Sequence, residues 1–400
     1  MSGEWQYDIA VVGGGPTGLA AACLAGQSGL QVAFWPGPER AEDLRTTALM
    51  LPAIRMFTNI GAWTAELRAE CAPLKRLQLR DATRRMPAAP AVTFDASEIG
   101  EPEFGWNVPV TPMIAALEAV MQAMPNVRRF SGAVEELDCL PGLVKVTGTA
   151  GPPVTVGTVV AADGSRSVCR KFAGIPASKW AYPQTAIVTT FAHEKAHEGL
   201  SIEFHRKKGP LTTVPLPGNR SSLVWIEEDD EASELVQLGD TDFRRKLQLE
   251  TENVLGVVTD LSKRGRFPIK GAVARTFAKR RVFLAGETAH VIPPIGAQGL
   301  NLSLRDVAVA MELIIGAKER NEDHGSTEVM KAYDMKRRQD VFPRQVAIDV
   351  LNRTLTSSFL PFQGARVLGL RALQSLGPLR RSVMRQGLAP QSGLPKVMSA

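Results

Sequence analysis

Cysteine is scarce in this chain and scattered: Cys23, Cys71, Cys139 and Cys169 form no C-x-x-C pair and show no metal-ligand spacing. That excludes a disulfide framework and points to reduced thiols in the cytoplasm. Long apolar runs are missing too, and no segment approaches the length of a membrane span. Glu4 and Asp8 precede only a brief apolar run that soon enters glycines, which is not the shape of a signal peptide. The expected location is therefore cytoplasmic, at most peripheral on the inner face of a membrane. Nor is there a strong charge of one sign. A net charge of +6 favours an anionic cofactor or an acidic surface without making a nucleic-acid binder. The 44% apolar and 22% charged fractions are those of an ordinary globular protein, and 400 residues suggest two intimately joined domains plus an appendage.

What is present begins at the N-terminus. Tyr7 to Val12 reads as a buried strand, followed at once by Gly13-Gly14-Gly15-Pro16-Thr17-Gly18 and an alanine-rich helix, Leu19 to Ser28. Gly13, Gly15 and Gly18 satisfy G-x-G-x-x-G between a strand and a helix, where the glycines serve the tight turn, the approach of a pyrophosphate and close helix–strand packing. The second strand, Gln31 to Trp35, should end in an acid for the ribose hydroxyls. Pro36 stands there instead, so either Glu39 takes over or water and backbone hold the ribose. Arg45, in Asp43 to Leu49, can reach a pyrophosphate or flavin; a solvated charge at a helix start is the other reading.

Val282 to Asp306 has the same strand, glycine loop, helix pattern. A short strand to Ala285 breaks at Gly286-Glu287, passes Pro293 and Pro294, and reaches Gly296-Ala297-Gln298-Gly299-Leu300-Asn301 before a helix near Leu302. Such a loop aims backbone N–H groups and a helix start at an anionic or electron-rich ligand, and Gly296 and Gly299 allow a flat one to lie on the backbone. By itself it could equally be a plain strand–helix connection. Between these two stretches, Val154 to Ala162 reads as a strand ending in Asp163-Gly164, a turn by default and also a candidate cofactor clasp. Four alternating strands, Thr185 to Ala192, Ser201 to Arg206, Leu211 to Leu216 and Ser221 to Glu227, predict an antiparallel sheet. His193, His197 and His205 have no metal-like partner set and read as structural or surface residues. A helix is expected through Phe243 to Leu261, then helices at Tyr333 to Asp340 and Phe342 to Leu355. Past Asp349 there are no acids, while arginines interleave with leucines. This tail suits anionic lipid or a partner, and equally a helical cap with a solvated basic edge.

The fingerprint, the Asp163-Gly164 stretch with Ser167 and Arg170, and Gly286-Glu287 with its loop together resemble the single-component FAD-dependent aromatic hydroxylases. The loop IPPIGAQGLN is similar to that of 4-hydroxybenzoate hydroxylase. DLRTTAL, FDASEIG, RGRFPI and YDMKRRQD resemble the ubiquinone-biosynthesis hydroxylases of the UbiH/UbiF type, over the chain to about residue 380. Glu287 stands where that family normally has Asp. The resemblance implies an α/β, two-domain fold: a Rossmann-like FAD-binding domain, an inserted antiparallel-sheet substrate domain and a C-terminal helical region. The corresponding boundaries are 1–75 with 125–180 and 265–325, then 76–124 with 181–264, then 326–400.

The activity it implies is hydroxylation of a polyprenylated phenol or quinone precursor, with O2, FAD and NAD(P)H as the reductant, through a C4a-hydroperoxyflavin. No separate Rossmann domain for the nicotinamide cofactor is visible. In that scheme Gly13, Gly15, Gly18 and Arg45 hold the pyrophosphate side, Asp163 and Gly164 clasp the cofactor, and Gly286, Glu287 and Gly296 to Asn301 fix the flavin. Pro293 faces the reacting ring through its carbonyl, and His290 stabilises the loop. A quinone-biosynthesis complex or membrane surface is the expected partner of the tail. The alternatives are hydroxylation of a small soluble phenol such as a hydroxybenzoate, or a flavin-binding member that does not hydroxylate.

Overall fold

Two large sheets and a small three-stranded one, Thr46–Met50, Gly105–Pro109 and Ala72–Leu74, organise the described residues. The computed structural model describes residues 5–399 apart from 39–42, 44, 84–87, 295, 297, 357–359 and 391–392. In the first sheet Tyr7–Val12 pairs in parallel with Val32–Trp35 on one side and Val154–Ala161 on the other. Val282–Leu284 adds in parallel beyond Val154–Ala161, and Val127–Arg129 beyond Val32–Trp35. The chain thus leaves Tyr7–Val12 in one direction and returns on its other side, and a ligand crevice forms at such a reversal, off the carboxyl ends of the strands. Five parallel strands from distant parts of the sequence end there.

The helix Pro16–Gln27 starts on proline at its first position, where the missing N–H is no loss. Its residues from Gly18 to Gly26 are all buried, because the sheet, Val110–Gln122 and Gln298–Glu319 pack around it. It ends at Ser28, with Gly29 in the left-handed region at φ +79°.

The second sheet runs, strand by strand, His290–Val291, Gly265–Ala274, Ala177–His193, Arg220–Glu228, Leu211–Leu216, Leu200–His205, Arg76–Asp81 and Val92–Asp95. Its outer face buries Phe191, Phe204 and Trp225 against Ala232 and Leu235 of the helix Asp229–Gln237 and Phe243 and Leu247 of the helix Asp240–Glu250. Its inner face looks onto a cavity.

Several boundaries differ from the sequence reading. Gly265–Ala274 pairs with Ala177–His193 in the second sheet rather than with the nucleotide strands. Met113, Leu117 and Met121 of Val110–Gln122 pack into the nucleotide core. The helix expected through Leu261 stops at Glu250, because Glu252, Asn253 and Gly256 all take positive φ and turn the chain into the strand Val258–Leu261. The loop helix begins at Gln298, earlier than Leu302. First-turn N–H groups need no helical partner, so Gly299 is tolerated there, and apolar periodicity appears only a turn later. Thr327–Thr356 is one helix that continues through Pro343.

The tail forms Leu360–Ser375 and Gly377–Gly387, which cap the far edge of the second sheet. Leu370 and Met384 bury against Phe94 and Leu74, Arg380 pairs with Glu98 at 2.7 Å, and Arg366 Nη2 donates to Asp81 at 2.9 Å. Burial alone would raise Asp81, but Arg366 and bonds from Ala89 and Thr83 hold its carboxyl down at about 2. An unfolded aspartate titrates near ~3.9. The stabilisation is therefore fully present above about pH 4 and is lost as pH falls through about 2. Asp81→Asn should lower the melting temperature at pH 6 and flatten its decline from pH 4 to 2. An acid slope identical to the parent's would remove this tie from the account.

Candidate active site

The glycine loop leaves bare backbone at the open end of a helix. Gly13 has φ +124°, and a Cβ on it would lie 2.2 Å from the Ala162 carbonyl oxygen. A Cβ on Gly18 would lie 1.9 Å from the Gly13 carbonyl oxygen. These two glycines are buried and fixed by backbone contact, whereas Gly14 and Gly15 line the cavity with Pro16 and Thr17. The first turn of Pro16–Gln27 has no side-chain cap and no acid, so its N–H donors and positive dipole end remain for an anion. This cradle fits the pyrophosphate of FAD.

Glu39 and Ala297, both expected at the cofactor, lie outside the described residues. Beyond Pro36 the same cavity is walled by Glu118 and Arg129, paired at 3.4 Å. Glu118 is a carboxylate that motif reading missed, because it comes from the helix Val110–Gln122 and carries no local signature. Arg45 lines the cavity, bonded to Asp43 (Nε to Oδ1 2.8 Å) and lying 5.1 Å from the Phe267 ring centroid. Its bond to Asp43, with further help from the charge of Glu287, raises its pKa above the ordinary arginine value despite burial. Glu287 is exposed on the cavity wall.

Asp163 does not aim a free carboxylate at a ligand. Its Oδ2 accepts from Cys169 N at 3.1 Å and its Oδ1 accepts from Thr288 Oγ1 at 3.1 Å. Thr288 Oγ1 accepts from Gly164 N at 2.9 Å, and Arg170 Nη1 donates to the Thr288 carbonyl at 2.6 Å. Asp163 thereby fastens its own turn to Gly286–Thr288, and Gly164 is the member that lines the cavity.

Beneath that turn lies a group the sequence reading did not single out. Asp306 is fully buried; its Oδ2 accepts from Gly286 N at 2.9 Å and pairs with His290 Nε2 at 2.7 Å. Its Oδ1 accepts from Arg337 Nε at 2.7 Å, and Arg337 also donates to Asp340 at 2.8 Å. Burial would raise Asp306, but His290 and Arg337 hold its carboxyl below the ordinary value. His290 thus anchors the loop through this carboxylate. The loop itself supplies Gly296, Gln298, Gly299 and Leu300 to the wall, and Pro293 is buried while its neighbour Pro294 lines the cavity. Asn301 turns elsewhere: its Oδ1 accepts from Met50 N at 2.9 Å and its Nδ2 donates to the Ala48 carbonyl at 2.7 Å, tying Thr46–Met50 to the loop helix.

Residues 149–346 match the family described as FAD binding domain. Over 97% of its length the chain is 31% identical to ubiquinone hydroxylase UbiL of Rhodospirillum rubrum, covering 90% of that protein. The chain belongs to the FAD-dependent ubiquinone-biosynthesis hydroxylases. It is also 29% identical to 3-demethoxyubiquinol 3-hydroxylase of Escherichia coli, over 95% of this chain and 98% of that one. The fold is shared with p-nitrophenol 4-monooxygenase of Pseudomonas putida, at a TM-score of 0.76 and 20% identity over 96% of this chain and 98% of that one. The cofactor is FAD and the enzyme is an aromatic-ring monooxygenase, and Glu287 of the turn Gly286–Thr288, the glycine loop and the start of the loop helix line one cavity.

Proposed function

We propose that this enzyme hydroxylates the ring of a polyprenylated phenol, a ubiquinone precursor, using O2 and NAD(P)H. The observation that carries the reading is the cavity. At about 1800 Å³ it exceeds the roughly 300–1,000 Å³ of a site for one small ligand. It runs from the glycine loop to an apolar arm lined by Leu77, Leu79, Phe94, Leu370, Leu373 and Leu388. Bound FAD supplies the redox chemistry. The chain's own residues position and shield. Gly13, Gly15, Gly18 and Arg45 serve the pyrophosphate side, and Gly286, Glu287, Gly296 and Gln298 to Leu300 serve the flavin. Asn301 and Asp163 hold the walls in place, Pro293 shapes the approach, and the apolar arm keeps the prenyl chain out of water. A purified protein with flavin absorption, together with an under-hydroxylated polyprenylphenol in cells lacking the gene, would support this reading. A colourless protein that takes up no FAD would sink it.

Glu118 takes the ribose in this scheme, in place of the acid absent at Pro36. Glu118→Ala is expected to weaken FAD about fivefold, close to 1 kcal/mol for a half-exposed hydrogen bond, with the visible spectrum unchanged. Titration of apoprotein with FAD measures it, and an unaltered affinity would remove Glu118 from the site.

The mouth of the apolar arm suits a membrane surface. Among the described residues no helix is long and apolar enough to cross a bilayer. Phe342, Val346 and Val350, one turn apart on Thr327–Thr356, are 62%, 46% and 53% exposed, and Val350 also lines the cavity. Val383, 41% exposed, does the same from the tail, where Arg371 and Arg385 lie in solvent. Apolar residues beside cations suit an anionic interface, and a lipid-borne substrate could pass directly into the arm. Phe342→Asp with Val346→Asp should reduce flotation with anionic vesicles severalfold, while FAD content stays at the parent level.

A further inference from the structure

Where the flavin end of the cavity meets the second sheet, its wall includes Asn107, which is 1% exposed. Its strand, Gly105–Pro109, pairs with Thr46–Met50, and Asn107 stands opposite Ala48, whose carbonyl accepts from Asn301 of the loop helix. On the other side Asn107 Nδ2 donates to the Pro215 carbonyl at 2.8 Å and to Ser222 Oγ at 3.2 Å, both in the second sheet. A carbonyl only accepts, so Pro215 fixes which end of the amide is nitrogen, and both Nδ2 protons are in use. Oδ1 accepts no hydrogen bond among the described residues, yet it is not sealed in as the orphan atoms Trp35 Nε1 and Trp225 Nε1 are. The sliver of surface that Asn107 keeps on the cavity wall therefore lies at this oxygen. A side-chain amide does not titrate, so the oxygen is an acceptor at every working pH.

Three hydroxyls of the same wall give their protons to the protein. Thr46 Oγ1 donates to Ser222 Oγ at 2.9 Å, Thr189 Oγ1 to the Ser262 carbonyl at 2.8 Å and Ser201 Oγ to the Thr213 carbonyl at 3.0 Å. They offer a ligand no proton, and Asn107 Oδ1 offers it a lone pair. A ligand that fills this junction takes water away from Oδ1, and a buried acceptor left unpaired is costly, so the ligand atom there must donate. The substrate ring belongs at this junction, because it must meet the flavin on one side while its prenyl chain enters the apolar arm on the other.

Building on the reading of the cavity as a phenol site, we infer that Asn107 anchors a free hydroxyl on the substrate ring, whose O–H donates to Asn107 Oδ1. Asn107 touches the substrate, and Ser222 with the Pro215 carbonyl holds the amide so that its oxygen is presented. Another donor of similar size, an aromatic amine, is accepted at that place. A group that cannot donate is disfavoured.

The test uses the full chain loaded with FAD, titrated with a short-chain prenylated phenol, the matching aniline and the matching fluoroarene, and followed by the perturbation of the flavin absorption band. Fluorine is no larger than the hydroxyl and cannot donate. The parent should bind the phenol and the aniline about tenfold more tightly than the fluoroarene, the scale of one neutral hydrogen bond. Asn107→Leu keeps the volume, removes the acceptor and should level the three by weakening the phenol and the aniline alone. A residue that only ties two strands together would instead weaken all three by one factor. If Asn107→Leu does not hold FAD, Asn107→Ser takes its place, since it leaves a hydroxyl beside the Pro215 carbonyl and withdraws the amide oxygen. A parent that binds all three equally, or variants that keep the tenfold preference, would overturn the anchor while leaving the phenol-hydroxylase reading standing. A parent that holds FAD but binds none of the three would overturn both.

Discussion

Asp306→Asn should be the most damaging single change of a charge in this protein. The substitution keeps the volume but leaves the guanidinium of Arg337, 2% exposed, with Asp340 as its remaining carboxylate. Asp340 already serves Arg305 and Arg344 as well. Breaking a buried pair from one side costs about 3–5 kcal/mol, because the surviving charge stays desolvated. Against a typical total of roughly 5–15 kcal/mol, this amounts to a melting temperature lower by roughly 5–10 °C. The pair also secures Gly286–Thr288, so FAD affinity should fall with stability. Asp306→Leu combined with Arg337→Met separates the two effects. An apolar pair of similar volume should recover much of the melting temperature, but Gly286 N–H loses its acceptor, and FAD should remain weak. Asp306→Asn melting within a degree of the parent would show that the buried network is not what holds the turn.

Gly13→Ala should produce a protein that purifies nearly colourless. Two penalties combine at this position: a backbone at φ +124° that an L-residue rarely adopts, and a Cβ placed 2.2 Å from the Ala162 carbonyl oxygen. Strain of about 1–2 kcal/mol and overpacking of about 1–3 kcal/mol sum to roughly 2–5 kcal/mol, or about 30- to several-thousand-fold in FAD affinity if the loop must reshape to bind. Gly29→Ala is the matched control. Gly29 shares the left-handed region at φ +79°, yet a Cβ there meets nothing within 4 Å and the residue lies past the helix end, away from the cavity. It should cost stability through strain alone and leave FAD affinity unchanged. Flavin fluorescence during titration of the apoproteins distinguishes the pair. Comparable affinities for both variants would mean that the Gly13 contact does not shape the site.

How far the site could be read in the sequence depended on how local each signal was. The glycine fingerprint needs only a strand, a turn and a helix start within a dozen residues, and its spacing is its geometry. Gly286-Glu287 and the loop through Leu300 could be read for the same reason. Asp163 reads as a turn residue and a candidate cofactor clasp; the partner of one carboxylate oxygen, Cys169 N, is only six residues on, but Thr288 comes beside the other only once Val154–Ala161 and Val282–Leu284 pair. The helix expected to reach Leu261 failed on Asn253 and Gly256, where turn chemistry outweighs an apolar pattern. Asn301 sits inside a motif that points at a flavin, yet its side chain is used to fasten a neighbouring strand.

The sequence by itself determined the class of protein and the two strand–loop–helix stretches that line the cavity, because hydrophobic periodicity and glycine spacing are properties of neighbouring residues. Only the tertiary structure decided which charges are buried together, which face of an alternating strand borders the cavity and where an apolar arm opens. Asp306 meets Arg337, and Glu118 comes to stand beyond Pro36, through contacts between residues far apart in the chain. The free energy of each depends on desolvation, which no residue type carries on its own and which the packing of the rest of the chain imposes.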